Sequence, residues 1–137
     1  MFETLDISAS GLQAQRTRMD TIAANIANLN TTRNADGRPI PYRRRFVTFA
    51  PNLAARGQGA TKAGVHVGQI QQDQAPFSRK FEPGHPDADK DGYVLYPNID
   101  LSIEFVNALE ASRAYEANVT TMEVTKNMMN ASLRLLA

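Results

Sequence analysis

A chain of 137 residues with a formal net charge of +1 has the length of one domain and no overall charge with which to hold nucleic acid or an anionic membrane surface. It contains no cysteine, which excludes disulfides, thiolate metal sites and cysteine nucleophiles. No run approaches the ~18 consecutive apolar residues of a membrane span. Phe2 to Ser10 carries Glu3 and Asp6 where a cleaved export signal would have a basic end and an apolar core. The expectation is a protein without a cleaved signal peptide, cytoplasmic unless it leaves by a route that needs none.

All seven prolines fall between Pro39 and Pro97, and seven of the eight glycines between Gly37 and Gly92, so turn formers are confined to the middle and the ends are left to be helical. Three segments follow, 1–30, 31–99 and 100–137. The middle one is basic, with ten basic and six acidic groups, and the ends are mildly acidic.

In the first segment Leu5, Leu12, Met19 and Ile26 recur every seven residues, and Phe2, Ala9, Arg16 and Ala23 lie three residues before them. Ile22 and Leu29 widen this stripe, and Arg16 is its one flaw. The spacing predicts a helix with a coiled-coil-like seam. Gly11 costs such a helix about 1 kcal/mol relative to Ala. Asn28, Asn30, Thr31 and Thr32 favour termination, which places the helix end near Leu29.

The middle segment reads as short strands and loops. Arg45 to Phe49 and Val65 to Val67 alternate polar and apolar residues, with Gly68 a candidate bulge. Pro76 to Phe81 and Gly92 to Tyr96 flank the turn-rich stretch Glu82 to Pro86 and read as a hairpin. Pro51 to Gly64 has no periodicity and reads as a mobile loop. At this size the segment has little core of its own and must lean on its neighbours.

The last segment carries the longest pattern. Leu101, Ala108, Tyr115, Met122, Met129 and Leu136 recur every seven residues without a polar member, and Phe105, Ser112, Val119, Lys126 and Leu133 form a second row. No Pro or Gly interrupts it, so a helix of roughly 50 Å is expected at 1.5 Å per residue. Asp100 is the expected N-cap, and Glu104 adds negative charge to the first turns. Val119 to Thr125 is rich in β-branched residues, so packing rather than propensity must hold the centre. The expected fold is α+β, with long terminal helices paired as a coiled-coil-like hairpin and a small, loop-rich β middle domain.

Nothing in the residues argues for catalysis. Asp87-Ala-Asp89-Lys-Asp91-Gly92 opens like a calcium loop, but the position that needs a bidentate Glu is Asn98, and Pro86 and Pro97 block flanking helices. Arg43-Arg44-Arg45 beside Tyr42 and Phe46 is too short for a nucleic-acid reader and has no accompanying module, so it reads as a solvated loop edge or a salt-bridged interface. His66 and His85 lack helical metal-ligand spacing. Glu104, Glu110, Glu116 and Glu123 read as solvated faces of the last helix.

Ser10-Gly-Leu-Gln-Ala-Gln-Arg16, followed by Ala24-Asn-Ile-Ala-Asn28 and Thr31-Thr32, resembles the opening motif of the flagellar axial proteins, the family of rod and hook subunits. Pro41-Tyr42-Arg-Arg44 and the run from His85 through Gly92 to Asp100 resemble the proximal rod branch of that family. Ala111-Ser-Arg-Ala-Tyr-Glu-Ala-Asn118 and Lys126 are similar to its last helix, whereas the Thr- and Met-rich stretch from Val119 to Met129 departs from the pattern. The resemblance implies a subunit with no enzymatic activity and no cofactor. It would polymerise into a hollow rod crossing the periplasm, with paired terminal helices inside and a β-rich domain outside. It further implies secretion by the flagellar type III apparatus without a cleaved signal. Implied partners are proximal and distal rod subunits, copies of itself, membrane-ring and rod-junction proteins and the export apparatus, with no nucleic acid and no membrane insertion.

The expected assembly surface is Leu5, Leu12, Met19, Ile22 and Ile26 on the first helix, with Leu101, Phe105, Tyr115, Val119, Met122, Met129 and Leu133 on the last. The rival reading is a helical adaptor or export chaperone of the same secretion system, which would share the amphipathic ends but remain a small oligomer.

Overall fold

A computed structural model describes residues 2–52 and 63–136. Its elements are α1 (Phe2–Ala27), β1 (Arg45–Pro51), β2 (Val65–Gln72), β3 (Ser78–Phe81), β4 (Tyr93–Tyr96) and α2 (Leu101–Leu136). The α+β order expected from the sequence, two long terminal helices around a small β middle, is the order observed.

The helix ends follow from local side-chain chemistry. Asn28 donates its side-chain N–H to the Ala24 carbonyl at 2.8 Å, taking one of the acceptors a helix end leaves open, and α1 stops at Ala27, two residues before the expected Leu29. Asp100 caps α2 as expected, its Oδ1 accepting from the Ser102 N–H at 2.8 Å and the Ile103 N–H at 3.4 Å. In the β-branched centre of α2, Thr120, Thr121 and Thr125 donate their hydroxyls to the carbonyls four residues back.

The middle forms two separate antiparallel pairs. β1 pairs with β2, and the register slips between Thr48, opposite Gln69, and Phe49, opposite Val67. Gly68 is the residue left over, the bulge its position suggested. β3 pairs with β4 from Ser78 opposite Tyr96 to Phe81 opposite Tyr93, the expected second hairpin. Most of the aperiodic stretch from Pro51 to Gly64 lies outside the described residues.

The acidic turn before β4 is built by its own aspartates. Asp89 Oδ1 accepts the N–H groups of Asp91 at 3.0 Å and Tyr93 at 2.8 Å, and Gly92 supplies the positive φ of 81° that closes the turn. Asp87 faces the other way. It pairs with Arg33 at 2.6 Å, accepts the Thr32 hydroxyl at 2.9 Å, and so ties the turn to the segment leaving α1. The hydrogen bond from Arg33 holds the Asp87 carboxyl below the usual carboxylate range, against the opposing pull of burial.

Because the folded form of Asp87 binds its proton less readily than the unfolded chain, this tie stabilises fully above the ordinary carboxylate pKa of about 4 and fades as pH falls through the lower folded value. Amide exchange at Thr32, Arg33 and Asp87 should accelerate selectively in that acid range. In Asp87→Asn the same amides should exchange faster at neutral pH and lose that acid step.

Candidate assembly interface

The two helices run antiparallel. Gly11 lies beside the Asn118 side chain, Arg18 pairs with Glu110 at 2.9 Å, and Asn25 bonds Glu104 at 3.1 Å, so positions rise on one helix as they fall on the other. Continuing that register sets Phe2 level with Asn127. With 36 residues against 26, α2 therefore runs past the start of α1 from about Met128 onward.

The fully buried residues of the two helices are mostly small or polar. Ser8, Ala14, Thr21, Ile22 and Asn25 are buried on α1, and Glu104, Ala111 and Thr125 on α2. On α2 these lie on the row Glu104, Ala111, Asn118 and Thr125, three positions on from the expected apolar row. Small side chains let the backbones approach closely, and a Cβ on Gly11 would meet the Asn118 amide at 3.0 Å. The helix pair is thus the expected one, with a different inner face. The flanking row Phe2, Ala9, Arg16 and Ala23 is exposed, so Arg16 does not interrupt the seam.

One polar cluster joins α1, β1 and α2. Glu104 and Asn25 are both 0% exposed. Glu104 accepts from the Arg44 Nε–H at 2.7 Å and from the Asn25 amide at 3.1 Å. Asn25 also donates to the Arg45 carbonyl at 2.7 Å and accepts from the Arg45 N–H at 2.9 Å and the Tyr42 hydroxyl at 3.2 Å. Burial holds the Tyr42 phenol above its ordinary pKa, with Glu104 pushing the same way and Arg45 opposing. This corrects the reading of Glu104 as a solvated carboxylate. A buried charge persists only when paired and hydrogen-bonded, and here a guanidinium and an amide meet that condition. The arginine run is likewise resolved. Arg44 is the ion-pair partner, Arg45 contributes its backbone, and Arg43 stacks over Phe77 at 4.5 Å.

The apolar residues expected to carry assembly divide by environment. Ile22 is buried, beside a cavity it lines with Phe46 and Val47 of β1 and Glu104 of α2. Leu5, Leu12, Met19 and Ile26, with Tyr115, Val119, Met122 and Met129, are half-buried along its margins. Leu101, Phe105 and Leu133 face outward, Phe105 at 58% and Leu133 at 62% exposure. Further large apolar side chains missed by the heptad reading are also exposed, among them Ile103, Val106, Leu109, Val124 and Met128. They stand off the seven-residue rows, which is why the periodicity did not select them. Asn25 and Glu104 were missed because nothing local separates them from other helical polar residues. The resemblance offered the one signal, since Asn25 sits in the Ala24–Asn28 motif.

Both helices match known protein families. Residues 5–33 match a family described as flagella basal body rod protein, and residues 90–135 match one described as the C-terminal part of the flagellar basal body rod FlgEFG proteins. Those matches take in α1 with the turn after it, and β4 with α2. Over nearly the whole length the chain is similar to proteins named flagellar basal-body rod protein FlgC. It is 39% identical to that of Bacillus subtilis, aligned over 98% of this chain and 97% of the relative. It is 40% identical to that of Borreliella burgdorferi, with 99% and 97% aligned, and 41% identical to that of Escherichia coli O157:H7, with 98% and 97%. The chain belongs to the FlgC family of flagellar basal-body rod proteins.

The buried cluster and the exposed ion pair should differ sharply in energetic weight. Glu104→Ala leaves Arg44 and Asn25 without their partner and should cost about 3–5 kcal/mol. Glu110→Ala, which removes an ion pair whose carboxylate is two-thirds exposed, should cost under about 1 kcal/mol. Denaturant unfolding of the purified variants measures both.

Proposed function

We propose that this basal-body rod protein is a structural subunit of the proximal rod. It polymerises through α1 and α2 into the hollow drive shaft that spans the periplasm, with the β hairpins on the outside. The observation that carries this reading is the exposed apolar surface of α2. A helix whose inner face is small and polar, and whose outer face presents Leu101, Ile103, Phe105, Val106 and Leu109, has its stickiest side turned away from its own partner. Fully burying an exposed side chain of this kind contributes about 1.5–3 kcal/mol; these are roughly half exposed, so each adds about half as much, and a neighbour that covers several of them supplies a drive to assemble. Contacts between unlike surfaces that do not close into a ring build an open helical array.

On this reading 1–30 and 100–137 form the inner assembly domain and 31–99 the outer one. Its partners are proximal and distal rod subunits, copies of the chain and the surrounding ring and junction proteins. The subunit works by being packed, with no catalytic step and no cofactor. It reaches the periplasm through the flagellar type III apparatus without a cleaved signal.

Phe105→Asp and Leu133→Asp change exposed side chains, so both variants should retain wild-type helicity by circular dichroism. Each should abolish swimming and reduce recovery of the subunit in detergent-extracted hook–basal bodies. Normal swimming with full incorporation would overturn the proposal.

A further inference from the structure

The outer edge of β1 is open for part of its length, and the open part faces a cavity. In an antiparallel pair the backbone groups of successive residues point alternately toward the partner strand and away from it. Asp73 donates its N–H to the Arg44 carbonyl at 2.8 Å, so Arg44 points toward β2 and Arg45 points away. Asn25 takes up that outward direction by bonding both backbone groups of Arg45. Val47, two residues on, presents its N–H and C=O to the same side. Counting back from Asn52, whose N–H bonds the Gly64 carbonyl at 2.9 Å, sets the backbone of Phe49 there too. Among the described residues no group outside the strand pair bonds the backbone of Val47 or Phe49.

Beyond this edge lies a cavity of about 290 Å³, between Arg18 and Ile22 of α1, Asn107 of α2, and Phe46, Val47 and Phe49 of β1. Its described lining includes no residue of β2, so it sits against the edge of the sheet and not on a face. A paired strand runs ~4.8 Å from its neighbour, so the backbone of an incoming strand would occupy this space. The charge around it is positive. Glu104 is buried against Arg44 and offers no free charge. Arg18 is held by Glu110, whose carboxylate is two-thirds exposed, and Arg45 makes no ion pair among the described residues.

We infer that β1 receives an extended, acidic segment of another protein as an added strand. Its backbone would bond Val47 and Phe49, and its carboxylates would lie beside Arg18 and Arg45. Asn25 ends the open edge at Arg45. A hairpin of two strands is marginal by itself, so the added strand would also firm the β segment. A second copy of this chain is the poorer occupant, because pairing two β1 edges brings two arginine runs together without supplying a carboxylate. The rod reading assigns assembly to the helices and leaves this edge unused.

A labelled peptide alternating Glu and Val, titrated into the purified full-length chain and followed by fluorescence anisotropy, tests this directly. It should bind saturably, roughly tenfold more tightly than the same peptide with Lys for Glu, and more weakly as salt rises. Val47→Pro removes the outward N–H without taking a bond from the β1–β2 pair, and an edge of this kind admits Pro. That variant should keep wild-type circular dichroism and bind roughly tenfold more weakly. Arg45→Glu should reverse the preference between the two peptides. Absence of saturable binding, equal binding of both peptides, or undiminished binding by Val47→Pro overturns the inference. A dimer of the chain alone that Val47→Pro abolishes would assign the edge to a second copy instead. Should Val47→Pro lose helicity, a peptide N-methylated on alternate amides removes the same bonds from the other side, and undiminished binding of both alternating forms overturns the inference. The assay uses no basal bodies, so either result leaves the rod reading where it stood.

Discussion

The buried carboxylate of Glu104 is the constraint on which the rest of the arrangement depends. It lies one turn into α2, immediately after the chain returns from the β segment. Its partners come from the last turn of α1 and from the residues entering β1. An unpaired charge at that depth would be far too costly, so α1, the arginine run and α2 must come together in one geometry or not at all. Asn25 extends the constraint by matching both backbone groups of Arg45, as a neighbouring strand would. The β1–β2 hairpin is thereby held against the helices by specific bonds, although its own core is small.

The helix pair inverts the usual distribution of residues. Its fully buried residues are Ser, Ala, Thr, Asn and Glu with one Ile, while much of its large apolar surface points outward. Small residues permit close backbone approach and polar ones fix register, but neither removes much apolar area from water. On the proposed rod reading, the apolar surface left open on one subunit is available between subunits, and specificity within the chain and affinity outside it fall on different faces of the same helices.

Much of the fold was legible in the sequence. The confinement of Pro and Gly to the middle marked both helices, Asp100 announced a cap, and Gly68 and the aromatic flanks of the acidic turn marked a bulge and a hairpin. The inner face of the helix pair was not legible, because heptad reasoning assigns large apolar residues to the nearest partner. In an assembling protein the nearest partner need not be the same chain. Glu104 was hidden for a related reason, since its burial depends on Arg44, sixty residues away in sequence and adjacent only once folded. The full-length resemblance supplied the family, which periodicity could not.

The side-chain hydrogen bonds between the two helices have an uneven distribution. Asn25 to Glu104 and Arg18 to Glu110 lie toward the end where the chain enters and leaves the β segment. Further along, Gly11 lies against the Asn118 side chain, and among the described residues no side-chain hydrogen bond joins the helices there. The pair is therefore clamped like tweezers at the hinge, while its tips are held by weaker, non-directional forces. Such a shape can open or close slightly at the tips without breaking a directional bond. Were such subunits packed side by side as proposed, they could share one hinge while their tips conform to differing surroundings.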